Sequence, residues 1–434
     1  EAGNDTLRGE DGGDFLYGGD GNDIVLGGLG DDNLYGDAGT DTLRGEGGND
    51  TIKGGTGIAY LYGGDGNDSL YYDPTTSSIS SVGDYLSGSI LNGDAGIDTL
   101  SVYNKGTTPY GPAATDIYVD NSGVGRIYFS SPEGMADQFW SVGTFQGIEK
   151  IVAVGAGGMR YVTDPYNTTV VEITGTSADD EFYGGYGNET MRGGAGNDRL
   201  LGHEGRNNLY GDDGNDTLVV EKYSNVTADI ASVLQGGTGT DTLHGNVNAL
   251  IDSDPGYGAW NNATFSVGFS SVIGGTGSFG FSDRQERWVE GYQSHQGGTF
   301  SGIERVTVEP GTVLEYVGGM SNVTAIGGNL PDYFHGGSGN ETFIGGGGGD
   351  LFDFSGIRPH GLDRITGFNA AEGDLVTTRW SEKGWYTDPV NVDIVESSGH
   401  TIVTSSKLDG TVFHVLDIDA VGVQNNIIIG EIWG

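Results

Sequence analysis

The chain has 434 residues, with 61 Asp and Glu against 19 Lys and Arg and a formal net charge of −42. That balance argues against nucleic-acid binding, which rests on cationic contacts to phosphate, and against direct electrostatic binding to an anionic membrane. The chain has 22 Tyr, 16 Phe and 6 Trp, too many aromatics for an acidic disordered segment, and its 84 Gly follow no collagen triplet. Cysteine is absent, which removes disulfide and thiol chemistry, and no apolar run approaches the roughly 20 residues of a spanning helix. No signal-peptide pattern stands at Glu1. The chain starts inside a repeat, at Gly3-Asn4-Asp5-Thr6-Leu7, which reads as part of a longer protein.

From Gly9 a nine-residue unit repeats back to back: GEDGGDFLY, GGDGNDIVL, GGLGDDNLY, GDAGTDTLR, GEGGNDTIK, GGTGIAYLY and GGDGNDSLY, unbroken to Tyr71. Gly dominates positions one and four, Asp holds position six, and an aliphatic holds position eight. Gly at positions one, two and four permits positive φ and leaves no Cβ in the way, so each turn can face its carbonyls inward. Asn or Asp at position five (Asn22, Asp31, Asn49, Asn67) also tolerates left-handed geometry. The last three positions read as a short strand with one inward side chain: Leu16, Val25, Leu34, Leu43, Ile52, Leu61 and Leu70. One such strand buries nothing alone. Coils of two strands and two turns, stacked, give a continuous aliphatic column. A Gly/Asp-rich linker would not keep a phased aliphatic at every ninth residue.

With two units per coil, turns on one edge recur every eighteen residues. One edge carries Asp14, Asp32, Asp50 and Asp68; the other carries Asp5, Asp23 and Asp41, with Ala59 next in line. Coils stack at roughly 4.8 Å, and unit charges about 5 Å apart repel by roughly 3 kcal/mol at an effective dielectric of 20. Such a column needs counter-ions. Calcium fits, because it accepts carboxylate and carbonyl oxygens in flexible numbers; magnesium demands strict octahedral geometry and keeps its waters.

The pattern G-G-x-G-x-D-x-U-x, with U aliphatic, resembles the nonapeptide of RTX (repeat-in-toxin) proteins. The resemblance implies an all-β fold, a parallel β-roll or β-solenoid binding several calcium ions. The units return along the chain and divide it. The first roll covers 1–72. Residues 73–174 hold a spacer, a lone unit at Gly93–Ser101 with Asp98, and a β-rich insert. The second roll, 175–219, offers Asp180, Glu189, Asp198 and Asp216, with Asn207 in the place of an acid. Residues 220–326 repeat the order of spacer, lone unit (Asp241) and insert. The third roll, 327–353, offers Asp332, Glu341 and Asp350. The longer arm of Glu189 and Glu341 is expected to change the turn, and Ala59 and Asn207 are expected to be weak or missing sites.

The inserts close on Thr144-Phe145-Gln146-Gly147-Ile148-Glu149-Lys150-Ile151 and Thr299-Phe300-Ser301-Gly302-Ile303-Glu304-Arg305-Val306, and each is followed by Gly-Asn-Glu-Thr at 187–190 and 339–342. This spacing reads as a tandem duplication of roughly 150 residues. Alternating stretches such as Asp116–Asp120 and Thr264–Phe269 predict strands. The expected arrangement is wider coils continuing the roll, with independent β-domains as the other option. From 354 to 434 the repeats stop. A solenoid end exposes open strand edges and requires an atypical cap. This segment resembles the C-terminal cap of serralysins and other type I secretion substrates, which implies an export signal here and places the protein outside the cell.

No H-E-x-x-H helix and no G-x-S-x-G elbow occurs. His203, His244 and His335 fall on solvated positions of the units, and the regular spacing of the acids favours calcium over a glycosidase pair. Trp140, Trp260 and Trp288 read as insert packing or as a polysaccharide-binding or assembly surface. The leading expectation is a non-enzymatic structural protein of S-layer or adhesin type, resembling bacterial surface RTX proteins and self-associating into a sheet, lattice or filament. The competing expectation is the calcium-binding export and stability module of a secreted enzyme or toxin. Carbohydrate modification by the inserts is a third.

Overall fold

The computed structural model describes residues 2–73, 88–104, 115–129, 140–164, 166, 170, 172–203, 205–221, 232–246, 264–269, 277–282, 299–319, 321–354, 362–378, 391–397, 400–406, 412–418 and 427–429. Every regular element among them is a β-strand, and the chain divides into two units, residues 1–214 and 215–434.

In the first unit, strand Thr6–Asp11 pairs in parallel with Ile24–Leu29, setting Leu7 against Val25. Ile24–Leu29 then pairs with the later part of Asn33–Gly47, setting Val25 against Leu43. On the other wall Phe15–Asp20 pairs with the earlier part of that strand, Leu16 against Leu34, and Leu34 meets Ile52. Each step is eighteen residues, so each coil is two nonapeptides. Val25, Leu34, Leu43, Ile52, Leu61 and Leu70 are fully buried between the walls.

The unit Gly93–Ser101 is isolated in sequence but not in space. It is the next coil of the first roll: Leu61 registers with Leu91 and Leu70 with Leu100. The insert then joins the walls instead of folding beside them. Trp140–Gln146 stacks in parallel on Ser89–Ala95, Gly125–Phe129 adds antiparallel to it, Thr115–Val119 adds antiparallel to that, and Met159–Thr163 resumes parallel stacking. On the opposite wall Lys150–Gly155 lies directly between Thr99–Asn104 and Glu172–Thr174. The inserts therefore contribute to the roll as expected, but through an antiparallel hairpin. The chain runs ahead after Asn104 and returns, and the hairpin supplies backbone partners across the gap it leaves. The second roll follows, with Phe182 on Leu200 and Met191 on Leu209.

The second unit repeats this plan. Val233–Thr238, Thr299–Ser301, Gly277–Ser282, Thr264–Phe269 and Val313–Val317 are neighbours in that order, with Gly277–Ser282 antiparallel to both of its partners. The opposite wall runs from Thr242–Asn246 to Arg305–Val308 to Thr324–Ile326. The duplication read from sequence is thus a duplication of topology. In the third roll the inner column turns aromatic: Phe334, Phe343 and Phe352 are fully buried, and Phe334 stacks on Phe352 at 5.1 Å. The terminal segment continues both walls. Leu362–Thr366 and Leu375–Thr378 pair with Thr342–Ile344 and Leu351–Asp353, and Val412–Ile418 and Ile427–Ile429 follow. His400–Ser406 then adds antiparallel to Val412–Ile418, and Asn391–Ser397 antiparallel to His400–Ser406.

If the inner column carries the stability of the roll, Leu43→Ala should cost about 2–5 kcal/mol, the range for emptying a packed core position. Urea unfolding of the calcium-loaded chain measures this, and an unchanged midpoint would contradict a continuous column.

Candidate functional site: the carboxylate turns

Position six is where the coils meet. The backbone N–H of Asp5 donates to Oδ1 of Asp23 at 2.7 Å, and that of Asp23 to Asp41 at 2.9 Å. On the other edge Asp14 donates to Asp32, Asp32 to Asp50, Asp50 to Asp68 and Asp68 to Asp98, each at 2.8 Å. Asp180 donates to Asp198 and, in the second unit, Asp216 to Asp241 and Asp332 to Asp350. One carboxylate oxygen is thereby satisfied. The other, Oδ2, is buried without a hydrogen-bond partner in Asp14, Asp23, Asp32, Asp41, Asp50, Asp68, Asp98, Asp241 and Asp350. None of these nine forms an ion pair with Lys or Arg. Basic side chains of the first roll lie instead against tyrosine rings, Arg44 covering Tyr62 at 4.3 Å and Lys53 lying near both Tyr35 and Tyr71.

Each orphaned oxygen faces a cradle. A β-carbon on Gly9 would sit 2.5 Å from Asp14 Oδ2 and 2.5 Å from the Gly27 carbonyl of the next coil. Gly18 and Gly63 make the same cradle beside Asp23 and Asp68. Position one therefore needs Gly for space. Positions two and four carry the left-handed φ, as at Gly19 and Gly21. Position two is left-handed without Gly at Glu10, Asp37, Glu46, Asp94, His203 and Asp212, but not at Thr176. The expected left-handed role of position five is corrected: Asn22, Asp31, Asn49 and Asn67 have no positive φ. Their side chains accept from the next coil instead, as Asn22 Oδ1 does from Thr40 N–H at 2.8 Å and Asp31 Oδ1 from Asn49 N–H at 2.7 Å.

Not every position-six acid is of this kind. Asp180 accepts from Met159 N–H and, at 2.6 Å, from Thr176 N–H. Asp332 accepts from Leu314 and Gly328 N–H at 2.6 and 2.8 Å. Glu189 and Glu341 lie near N–H groups of their own turns, which favour the charged form against burial, yet Glu189 Oε2 and both Glu341 carboxylate oxygens have no hydrogen-bond partner. Gly185, Gly187, Gly337 and Gly339 lack the positive φ of their counterparts. The turn is changed in both Glu units, but Thr176 and Gly328 in the Asp180 and Asp332 units lack the positive φ as well, so the longer arm is not what changes it. Asn207 is a built-in control. Its Oδ1 takes the Glu189 N–H at 2.9 Å, and its Nδ2 donates to the Gly202 carbonyl at 2.8 Å, where an Asp would place an oxygen. At Ala59 the column breaks, and its N–H bonds to Ser89 Oγ.

Four acids at position six escaped the sequence reading: Glu149, Glu304, Asp363 and Asp374. They accept from the N–H of Asp98, Asp241, Glu341 and Asp350 at 2.9, 3.0, 2.9 and 2.9 Å. The signal was an acid two residues before an aliphatic (Glu149–Ile151, Glu304–Val306, Asp363–Ile365, Asp374–Val376) without the glycines. The histidines serve locally: His244 Nδ1 lies 2.8 Å from Thr307 Oγ1, and His335 lies 3.7 Å from Asp353. The side chains of Trp140, Trp260 and Trp288 lie outside the described residues.

Among the described residues no three His, Asp or Glu side chains gather as a metal cluster. Each turn contributes one carboxylate, and its oxygen partners are backbone carbonyls. That donor set, hard oxygens around an orphaned anionic one, fits calcium. Stacked two-nonapeptide coils with inward carboxylates define a β-roll. The family model for the RTX calcium-binding nonapeptide repeat (4 copies) matches residues 1–34, 26–58, 47–73, 173–218, 231–248 and 324–354. Over these residues the chain carries RTX nonapeptide repeats, which are calcium-binding motifs. No curated protein matches it.

Removal from water pushes the carboxyls of Asp41, Asp50, Asp98, Asp241 and Asp350 up to about 6, and stacked neighbours such as Asp32 and Asp68 push Asp50 the same way. These groups hold protons more tightly folded than unfolded. Without a cation, stability is therefore greatest in acid and falls as pH rises through about 6. Calcium competes with protons for the same oxygens, so half-saturating calcium should rise as pH falls below about 6. Circular dichroism in metal-free buffer should show more β-structure at about pH 4.5 than at about pH 7.5; the reverse order would refute the assignment.

The two columns of the first roll should also differ. Asp32→Ala removes both an orphaned oxygen and the acceptor for Asp14 N–H, whereas Asp32→Asn copies Asn207 and keeps the ladder. The Ala variant should raise the calcium midpoint more than the Asn variant, and more than Ala59→Asp changes it. Anomalous calcium density beside Ala59 as strong as beside Asp32 would count against this order.

Proposed function

We propose that this chain is a calcium-dependent structural protein of the bacterial exterior, of S-layer or adhesin type, and not an enzyme. Its rolls fold and assemble once calcium is met after secretion. The observation that carries the reading is the row of buried carboxylate oxygens with no partner, repeated coil after coil and again in both units. Asp14, Asp32, Asp50, Asp68 and Asp98 on one edge, Asp23 and Asp41 on the other, and Asp241 in the second unit would hold the ions with position-one carbonyls. Bound calcium supplies the positive charge that lets acids stack, so its binding free energy becomes folding free energy.

RTX repeat proteins are typically secreted by type I systems. Extracellular calcium modules bind at roughly 10⁻⁴–10⁻³ M, so the chain stays unfolded before export and folds outside. The assembly half of the reading is supported by the charge of −42, which calcium can bridge between molecules, and by two insert-bearing units of one plan, each presenting similar surfaces. Head-to-tail contacts of that kind extend into filaments wherever the rotation between copies does not close a ring. A calcium-binding export module attached to a secreted enzyme would share the rolls but not the assembly.

A far-UV circular dichroism titration from excess chelator into about 1–10 mM calcium should convert a disordered spectrum into a β one. A native β spectrum in chelator, unmoved by calcium, would defeat the folding half. Light scattering and negative-stain microscopy in the same range should find sheets or filaments. A strictly monomeric chain at high concentration, with sodium salt as control, would favour the export-module reading.

A further inference from the structure

The segments Gly147-Ile148-Glu149 and Gly302-Ile303-Glu304 belong to no nonapeptide and lie outside the residues matched by the repeat family. We infer that each is half of a calcium site, a shortened turn that fastens the end of a long insert to the roll through the ion it shares with Asp98 or Asp241. The inference rests on reading the position-six acids as calcium ligands and extends it to a turn of different sequence.

The backbone comes first. Lys150 N–H donates to the Asp98 carbonyl at 3.0 Å, as Thr99 N–H does to Asp68 at 2.8 Å one coil earlier. Arg305 N–H donates to the Asp241 carbonyl at 3.0 Å, as Thr242 N–H does to Asp216 at 2.7 Å. Glu149 and Glu304 thus stand at position six of the following coil. Their side chains complete the ladder, Glu149 Oε2 accepting from Asp98 N–H at 2.9 Å and Glu304 Oε2 from Asp241 N–H at 3.0 Å. In a nonapeptide, position one precedes the acid by five residues; here a glycine precedes it by two, and the longer Glu arm bridges the difference.

The cradle is reproduced too. A β-carbon on Gly93 would overlap the Gly147 carbonyl oxygen and lie 2.5 Å from Asp98 Oδ2. One on Gly236 would overlap the Gly302 carbonyl and lie 2.5 Å from Asp241 Oδ2. That pairing of a carboxylate oxygen with the next coil's carbonyl is the one at Gly9, Asp14 and Gly27. Asp98 and Asp241 are fully buried, and neither Oδ2 has a hydrogen-bond partner. A buried anionic oxygen facing a carbonyl, with a second carboxylate on the adjoining turn, calls for a cation with flexible oxygen coordination. Ile148 and Ile303, 2% and 0% exposed, anchor the turns in the core. The same arrangement occurs in each unit.

The consequence concerns the inserts. The paired acids are 51 residues apart in the first unit and 63 in the second. Closing loops of that length costs entropy, and an ion held by both ends offsets it. The inserts, which hold no nonapeptide of their own, are thereby made to order with calcium.

The test uses the full chain with Glu149→Gln, Glu304→Gln and both changes. Gln keeps an oxygen for the Asp98 or Asp241 N–H and removes the charge. Equilibrium dialysis should find one bound calcium fewer in each single variant and two fewer in the double. Hydrogen exchange in limiting calcium should quicken in peptides covering 144–151 or 299–306, while those covering 24–52 stay protected. The two variants lie in different units, so a folding defect in one leaves the other informative. Variants with the wild-type ion count and exchange pattern would overturn the site alone. A wild-type chain that binds no calcium would overturn the parent reading and this site with it.

Discussion

A carboxylate buried at each turn, with a second one a coil away, is the constraint to which the rest of the fold answers. One oxygen of each is taken by the N–H of the coil before it, so the acid cannot swing out to water without breaking the ladder. The other oxygen is left against the next coil's carbonyl. Two oxygens facing each other in a buried place repel unless a cation lies between them. The glycine at position one keeps that place open, the left-handed residues at positions two and four turn the backbone around it, and the eighteen-residue coil brings successive acids into register. The aliphatic column adds cohesion, but it would tolerate many turns; the acids do not.

The chain satisfies a position-six acid in two ways. In the open turns of the first roll the second oxygen has no hydrogen-bond partner. In the turns of Asp180 and Asp332 backbone N–H groups take it instead, and neither Thr176 nor Gly328 at position two is left-handed. Both turns follow an insert, at the same place in each unit. Burial still raises Glu189 and Asp332, to about 7 and about 8, so hydrogen bonding moderates the penalty of burying the charge without removing it. Asn207 goes one step further and replaces the charge by an amide that bonds to the Gly202 carbonyl itself.

Much of this was legible in the sequence because the nonapeptide encodes two independent periodicities, one in glycine and acid and one in the aliphatic. The eighteen-residue coil, the two acidic edges and the missing carboxylate at Ala59 followed from them. What escaped lost the glycines while keeping the acid and aliphatic. Glu149, Glu304, Asp363 and Asp374 stand at position six because of the strands they precede, and strand register over 51 or 63 residues is a tertiary property. The same holds for Gly93–Ser101, lone in sequence and stacked in space. The antiparallel hairpins were hidden for another reason: alternating strands look alike whichever way they run. Position five was misjudged because Asn serves equally well as a left-handed residue and as a side-chain acceptor, and only the neighbouring coil decides between them.

The ladders at positions five and six run in opposite senses. At position six an earlier coil donates to a later one, and at position five a later coil donates to an earlier one. A cut between any two such coils leaves a row of donors and a row of acceptors on each severed face, arranged so that one face matches the other. The roll is in this sense its own template, with a head that recognises any tail. Fidelity then cannot come from the ladder, which reads every coil alike. The irregular members, such as Ala59, Met159 and Leu314, interrupt it, because their apolar side chains at position six offer no acceptor.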